Sequence, residues 1–394
     1  MHLYLTHCAI RLDAIAAHYF KHANKAFLSG CFCILIGSFG SAYYVQSIAE
    51  NITAENITAE MLVEVKPESS DIWDSMREGF QLPDLDSSLV TRQINQYVAS
   101  GSHLQDSFAS ATPYLYFILD EVKKRGMPTE LAMLPLIESG FNIRIGNNLN
   151  HAGLWGLMPI TARHLNLNQT PFKDERRDIV ASTAAALNLL QELHEKFGDW
   201  HLALAAYNWG PGSLAKAIEY NRNRKIPITY THLKMPVETM IFVPKLLAIR
   251  KIIEDPERFN VKLPAIPNRP YFVQLDVKDA IDIPLVIKLA GITQKEFVQL
   301  NPSFNKPLIP AGPNQKLLLP LQKITRYLEH YQAYNQALSP WRTVIVETPQ
   351  TLDALAKAWK VDPIPTRQLN GFRRGTILEP GTTVVIPAPS HKSD

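Results

Sequence analysis

The sequence predicts a mainly helical domain followed by two small α+β modules. Three observations carry this. From Ser88 to about Phe259 apolar residues recur at helical spacing, and no alternating strand pattern interrupts them. At "LPAIPNRP", Leu263 to Pro270, the pattern breaks on prolines. Beyond it, residues 270–320 and 342–388 run through one order of strand, helix, helix and strand, a repeat of about 50 residues.

The N-terminus comes first. Ala26 to Val45, "AFLSGCFCILIGSFGSAYYV", is 20 residues without a charge, preceded by Lys21 and Lys25. Its length suits a bilayer span and its layout a signal peptide. Gly40-Ser41-Ala42 offers a small-residue cleavage site. "LSGC" (Leu28 to Cys31) is similar to a lipoprotein box, though too few apolar residues precede it and too many follow. Residues 1–45 are therefore expected to be an export signal or a membrane anchor. Residues 46–87 are polar, carry the duplication "NITAENITAE" and read as a linker without a core of its own. Cys8, Cys31 and Cys33 are the only cysteines, so no disulfide or thiolate metal site can form beyond residue 33. A body without thiols fits an oxidising compartment.

Composition narrows the class. An apolar share of 46% and a charged share of 20% over 394 residues describe a chain with a real core. The net charge of +3 is small, and no run of five Lys or Arg occurs, so nucleic acid is not expected as a partner.

Residues 88–262 are assigned to the helical domain. "PYLYFILDEVKKRG" sets Leu115, Ile118, Leu119 and Val122 on one face and ends at Gly126. Pro128 can open the next helix, Pro135 would kink it and Gly140 can close it. "DIVASTAAALNLLQELHEKFG" is capped by Asp178 and stopped by Gly198. "HLALAAYNWGPGS" runs into a Gly-Pro turn, with Ser213 starting the helix after it. "PVETMIFVPKLLAIRKIIED" is a last helix kinked at Pro244. In the modules, "EFVQLNP" and "TRQLNG" each place Leu-Asn before a Pro or Gly, and "LLLP" and "VVIP" close each unit. Units of this size hold little stability alone, so they read as compact binding modules.

Within 128–140, Leu131, Leu134 and Glu138 share one helix face. A carboxyl on an apolar face loses solvation when ionised, so its pKa rises and it can stay protonated near neutral pH. Such a group can hand a proton to a leaving oxygen, as a glycosidase acid does. Taken alone, Glu138 also fits a helix glutamate paired with a cation or reaching solvent. "HAGLWGLMPITARHLNL" is a glycine-flanked turn entering a helix, with Trp155 and Met158 available to a groove, and "LAAYNWGPG" offers Tyr207 and Asn208. Ring faces with amides and hydroxyls suit a carbohydrate cleft. Taken singly, Trp155 and Trp209 read as packing residues, and "DERRD" (Asp174 to Asp178) as a solvated helix start.

In order, ESxFN, AGLWxxMPxTA, DERRDxxxSTAAALxxL, FGDWxLALAAYNxGPG and PxETxxxVPKLLA resemble the lytic murein transglycosylases, continuously from about Thr112 to Asp255. The resemblance implies a goose-lysozyme-like fold for the helical domain. It implies that the two C-terminal segments are LysM-like modules, the first the more degenerate. It also implies that Glu138 is the sole catalytic carboxylate and that no cofactor or metal takes part. Glu138 would protonate the oxygen between N-acetylmuramic acid and N-acetylglucosamine; the sugar's own 6-hydroxyl would then close a 1,6-anhydro ring. Substrate contacts are implied for Ser139, Phe141, Asn147, Trp155, Gly156, Met158, Tyr207, Asn208 and Phe242. The partner is then the peptidoglycan glycan strand, the address the envelope of a Gram-negative bacterium, and the membrane a partner if the N-terminal segment is kept or lipidated.

Three positions depart from the family pattern. Gly156 stands where a glutamine closes the GLWQ motif, Asn147 where a serine is usual, and Phe242 where a tyrosine hydroxyl would approach the glutamate. Losing that hydroxyl should raise the pKa of Glu138 further. These departures leave an alternative open: a peptidoglycan-binding protein that keeps the fold with an impaired site.

Overall fold

The computed structural model describes residues 43–46, 62–65, 71–144, 150–312 and 315–387. The expected export segment, apart from its last residues, lies outside them. So does Asn147. Among the described residues no helix is long and apolar enough to cross a membrane.

The segment expected to be a bare linker is more structured than its polarity suggests. β2 (Leu62–Val65), within it, pairs antiparallel with β1 (Tyr43–Gln46) at the end of the expected export segment. Asp71 then caps α1 (Ile72–Arg77), and Ile72, Trp73 and Met76 are buried in the helical core. The Trp73 indole N–H donates to the Pro264 carbonyl at 2.7 Å, tying the start of the domain to its end. The core therefore begins at Ile72, not at Ser88. Three apolar residues spaced along a single short turn carry too little periodicity to be legible.

The helical domain is built from α2 (Ser88–Ala99), α3 (Ser102–Ser110), α4 (Leu115–Lys124), α5 (Leu134–Ser139), α6 (Pro159–His164), α7 (Ile179–Phe197), α8 (Trp200–Trp209), α9 (Pro211–Asn223) and α10 (Val237–Glu254). α4 buries Leu115, Ile118, Leu119 and Val122, the face expected of it. Asp178 accepts from the Val180 and Ala181 N–H groups, and Gly198 ends α7 in the left-handed conformation. α10 runs through Pro244 and packs along α2 and α8. Pro211, rather than Ser213, opens α9; proline suits a first turn whose N–H groups have no helical acceptor.

The kinked helix expected over 128–140 is two elements. Thr129–Met133 is a 3-10 turn, and α5 follows with Pro135 in its first turn. There the ring has no preceding helical carbonyl to displace, so Pro135 starts the helix instead of bending it.

Each C-terminal module holds two antiparallel strand pairs around two helices. In the first, β3 (Phe272–Asp276) pairs β6 (Lys316–Pro320) and β4 (Ile281–Asp282) pairs β5 (Leu308–Ile309), enclosing α11 (Ile283–Ala290) and α12 (Gln294–Leu300). In the second, β7 (Trp341–Ile345) pairs β10 (Thr383–Pro387) and β8 (Gln350–Thr351) pairs β9 (Ile377–Leu378), around α14 (Leu352–Trp359) and α15 (Pro363–Asn370). Between the modules lies α13 (Ile324–Gln332), whose Ile324, Tyr327 and Tyr331 complete the first module's core. That unit therefore extends past residue 320.

The repeated Leu-Asn has a physical reason. Buried Asn301 donates from its amide to the Leu318 carbonyl at 2.8 Å and accepts the Leu318 N–H at 2.9 Å. Asn370 does the same to Val385, at 2.6 and 2.8 Å. One amide side chain thus satisfies both backbone groups of a residue in the last strand, as another strand would. The repeat is one fold used twice.

Candidate active site

Two carboxylates on neighbouring turns show what is unusual about Glu138. Glu130 is buried, accepts the N–H groups of Gln81 and Leu82 at 2.9–3.1 Å, and faces Arg250 at 3.9 Å. Its role is to fold the 79–84 segment over the core. Glu138 is half-buried and, among the described residues, has no hydrogen bond or ion pair. Burial, helped by the negative charge of Glu238 and opposed by Lys245, pushes its pKa up to about 8. A protonated, unpartnered carboxyl at neutral pH is a proton donor without a structural duty.

The turn facing Glu138 is held by glycine and arginine. Ala152 and Leu157 exchange N–H···O bonds of 3.1 Å, closing a tight loop around Trp155 and Gly156. A β-carbon on Gly153 would strike the Arg176 carbonyl. Gly156 has φ +59°, and a β-carbon there would lie 2.6 Å from Glu138 Oε2. Only glycine takes this backbone readily and leaves room for the carboxyl.

Beneath the turn, "DERRD" is not a solvated helix start. Arg176 is fully buried: its Nε and Nη2 grip both Asp174 oxygens at 3.0 and 2.7 Å, and Nη1 donates to the Asn150 carbonyl at 2.7 Å. The reading by sequence missed this fork, because charge clusters at helix starts ordinarily face water. The signal available was the arginine doublet itself, since the planar guanidinium suits buried carboxylate pairing better than lysine does.

The other expected residues divide into three groups. Ser139 and Phe141 join Glu138 along a cleft of about 770 Å³, although both are largely buried. The Ser139 hydroxyl reaches the Pro135 and Leu154 carbonyls at 2.9 Å, so it ties α5 to the turn. Tyr207, Asn208 and Met158 lie outside that cleft's walls. Tyr207 donates to the Trp155 carbonyl at 2.9 Å; burial, with the Glu138 charge nearby, holds its pKa well above the usual value. Asn208 accepts from Thr239 at 2.8 Å, and Met158 is exposed. Trp155 and Phe242 are core residues in this structure. The Trp155 ring is fully buried with its N–H on Thr183 at 3.0 Å, so it offers no face to a sugar. Phe242 is 3% exposed on α10.

The remaining cleft wall was not legible at all. His103, Asp106 and Ser107 of α3 line it together with Arg144 and with Lys295, Val298 and Gln299 of α12.

A helical domain with a glutamate at a cleft that has no partner among the described residues, followed by small α+β units, is the arrangement of a lysozyme-like protein. Comparison with known families agrees: residues 116–229 match the Transglycosylase SLT domain, and residues 271–336 match the LysM-like domain of lytic transglycosylase MltD. The chain is 32% identical over 332 residues to the membrane-bound lytic murein transglycosylase D of Escherichia coli (strain K12), covering 81% of this chain and 73% of that protein. The figures are the same for the protein of that name from Escherichia coli O6:H1. A protein of Alteromonas sp. (strain M-1) named for tributyltin chloride resistance is 39% identical over 174 residues, 44% of this chain and 82% of that one. The chain belongs to the lytic murein transglycosylase D family.

Proposed function

We propose that this chain is an exported enzyme that cleaves the β-1,4 bond between N-acetylmuramic acid and N-acetylglucosamine in peptidoglycan without using water. Glu138 serves as acid and then as base. The observation that carries the reading is a cleft-lining carboxyl that has no partner among the described residues, and burial pushes its pKa up to about 8. At neutral pH the group holds a proton and gives it to the glycosidic oxygen as that bond breaks. Positive charge then develops on the sugar ring, and the carboxylate left behind faces it. The 6-hydroxyl of the same sugar attacks the anomeric carbon, and Glu138 takes the hydroxyl proton back. Bond broken and bond formed balance, and the product carries a 1,6-anhydro end.

Residues 26–45 would carry the chain into the envelope of a Gram-negative bacterium, as a cleaved signal or as an anchor. The two LysM-like modules would hold it on the glycan. A second reading, a peptidoglycan binder with an impaired site, is favoured by Gly156, Asn147 and Phe242. Mass spectrometry of digested peptidoglycan separates the readings: anhydro ends for the transglycosylase, reducing ends for a hydrolase, no new ends for the binder.

A further inference from the structure

The first LysM-like module is part of the helical body rather than a pendant. Lys173 and Phe304 form an antiparallel bridge; the Asp174 N–H donates to the Ser303 carbonyl at 2.9 Å and the Asn305 N–H to the Phe172 carbonyl at 2.8 Å. Buried Lys173 pairs with Asp178 at 2.9 Å and lies 5.8 Å above the Phe304 ring. A second attachment comes from α4 and the residue before it. The Tyr114 hydroxyl donates to the Gln299 carbonyl at 2.9 Å, and the rings of Phe117 and Phe272 are 5.4 Å apart. Phe272, Leu300 and Leu318 are buried in the same core as the helical domain. Two attachments from separate stretches of chain stop the module from turning about either one.

Held there, α12 is a wall of the Glu138 cleft. Its Lys295 and, from the other body, Arg144 both line that space. Both side chains are exposed, and among the described residues neither cation is in an ion pair. Asp106 is the acid that lines the cleft besides Glu138. A volume of about 770 Å³ lies high in the roughly 300–1,000 Å³ span of ligand clefts.

The glycan of peptidoglycan is uncharged where its lactyl groups are amide-linked to peptide. The fixed negative charges along a strand belong to the peptide stems. We infer that the first LysM-like module contributes a subsite to the cleft, in which Lys295 and Arg144 take the carboxylates of a peptide stem carried by the strand. This rests on the glycan-cleaving reading for the identity of the occupant. It makes the module a determinant of which strands are accepted, and not only a tether.

The test uses the full chain with Glu138→Gln, so that ligand survives titration. A tetrasaccharide of alternating N-acetylglucosamine and N-acetylmuramic acid is titrated calorimetrically, either with tetrapeptide stems or with its lactyl carboxyls capped as methylamides, at low ionic strength. The stem-bearing ligand is expected to bind about 10-fold more tightly, the size of one charge-assisted contact. Lys295→Glu should erase most of that preference, and raised salt should shrink it. Lys288→Glu, an exposed change on α11 outside the cleft, should leave the preference intact. Equal affinities, or a preference that survives both Lys295→Glu and Arg144→Glu, overturn the inference. Turnover of stem-free strands by the parent chain is a separate readout. A chain that prefers stems yet yields no anhydro ends keeps the subsite and loses the enzymatic reading.

Discussion

Gly156 and Glu138 are packed so closely that a single added carbon on one would sit 2.6 Å from a carboxyl oxygen of the other. Restoring the family's glutamine at 156 therefore does not restore a lost contact. Gly156→Gln would force a left-handed backbone on a side-chain-bearing residue, at roughly 1–2 kcal/mol, and push the carboxyl aside. We expect it to lower muropeptide release, with Gly156→Ala nearly as harmful. Phe242→Tyr is the milder change, since it adds one hydroxyl to an existing ring. Release assays with melting curves on the three variants check this; a gain of activity in Gly156→Gln would show that the turn does not sit where it is described.

Glu138→Gln keeps the shape and removes the proton. Turnover should drop by ~100–10,000-fold, the contribution of general acid catalysis, while sedimentation with sacculi persists. Retained release of anhydro muropeptides would remove Glu138 from its role.

Stability should respond to the same group with a definite sign. The folded pKa of about 8 lies above the ordinary 4.5, so the folded state holds a proton that the unfolded state gives up. Below 4.5 both states are protonated and nothing is lost; between 4.5 and 8 stability falls as pH rises, and above 8 the loss is complete. Glu138→Gln should thus melt higher than the parent at pH 8 and together with it near pH 4. Parallel melting curves across this range would contradict the raised pKa.

The rate has its own pH limb. A general acid must be protonated in the complex, so turnover is expected to decline as pH passes about 8. Acetylated oligosaccharide substrate, followed at constant ionic strength, gives this profile. A limb near 4.5 would mean that burial does not govern the group.

Arg176→Ala leaves Asp174 ionised and buried without its fork. Breaking such a pair costs about 3–5 kcal/mol, and chemical denaturation should read a loss of that size. A loss below about 1 kcal/mol would place the pair in solvent.

Much of this molecule was legible beforehand because its signals are local. Asp178 and Gly198 bracket α7 by capping chemistry that needs no tertiary context. The Leu-Asn repeat was visible as a pattern, and the reciprocal bonds to Leu318 and Val385 supply its cause. What stayed hidden depends on distant partners. Arg176 looked like surface charge until Asp174 and the Asn150 carbonyl closed around it. Trp155 read singly as a packing residue and through the resemblance as a substrate contact, and its burial against Thr183 fits the first. Lys295 lies 157 positions from Glu138 along the chain, and nothing in either neighbourhood announces that they border one cleft.

Phe172 shares one buried cluster with residues of both C-terminal modules, Ala280 and Leu308 of the first and Val385 of the second. Four positions later Arg176 grips the strut under the turn that carries Gly156. One short loop is therefore a mechanical link between the parts that would grasp a polymer and the turn against Glu138. A displacement of either module would be felt at that turn through a few covalent bonds and a buried ion pair.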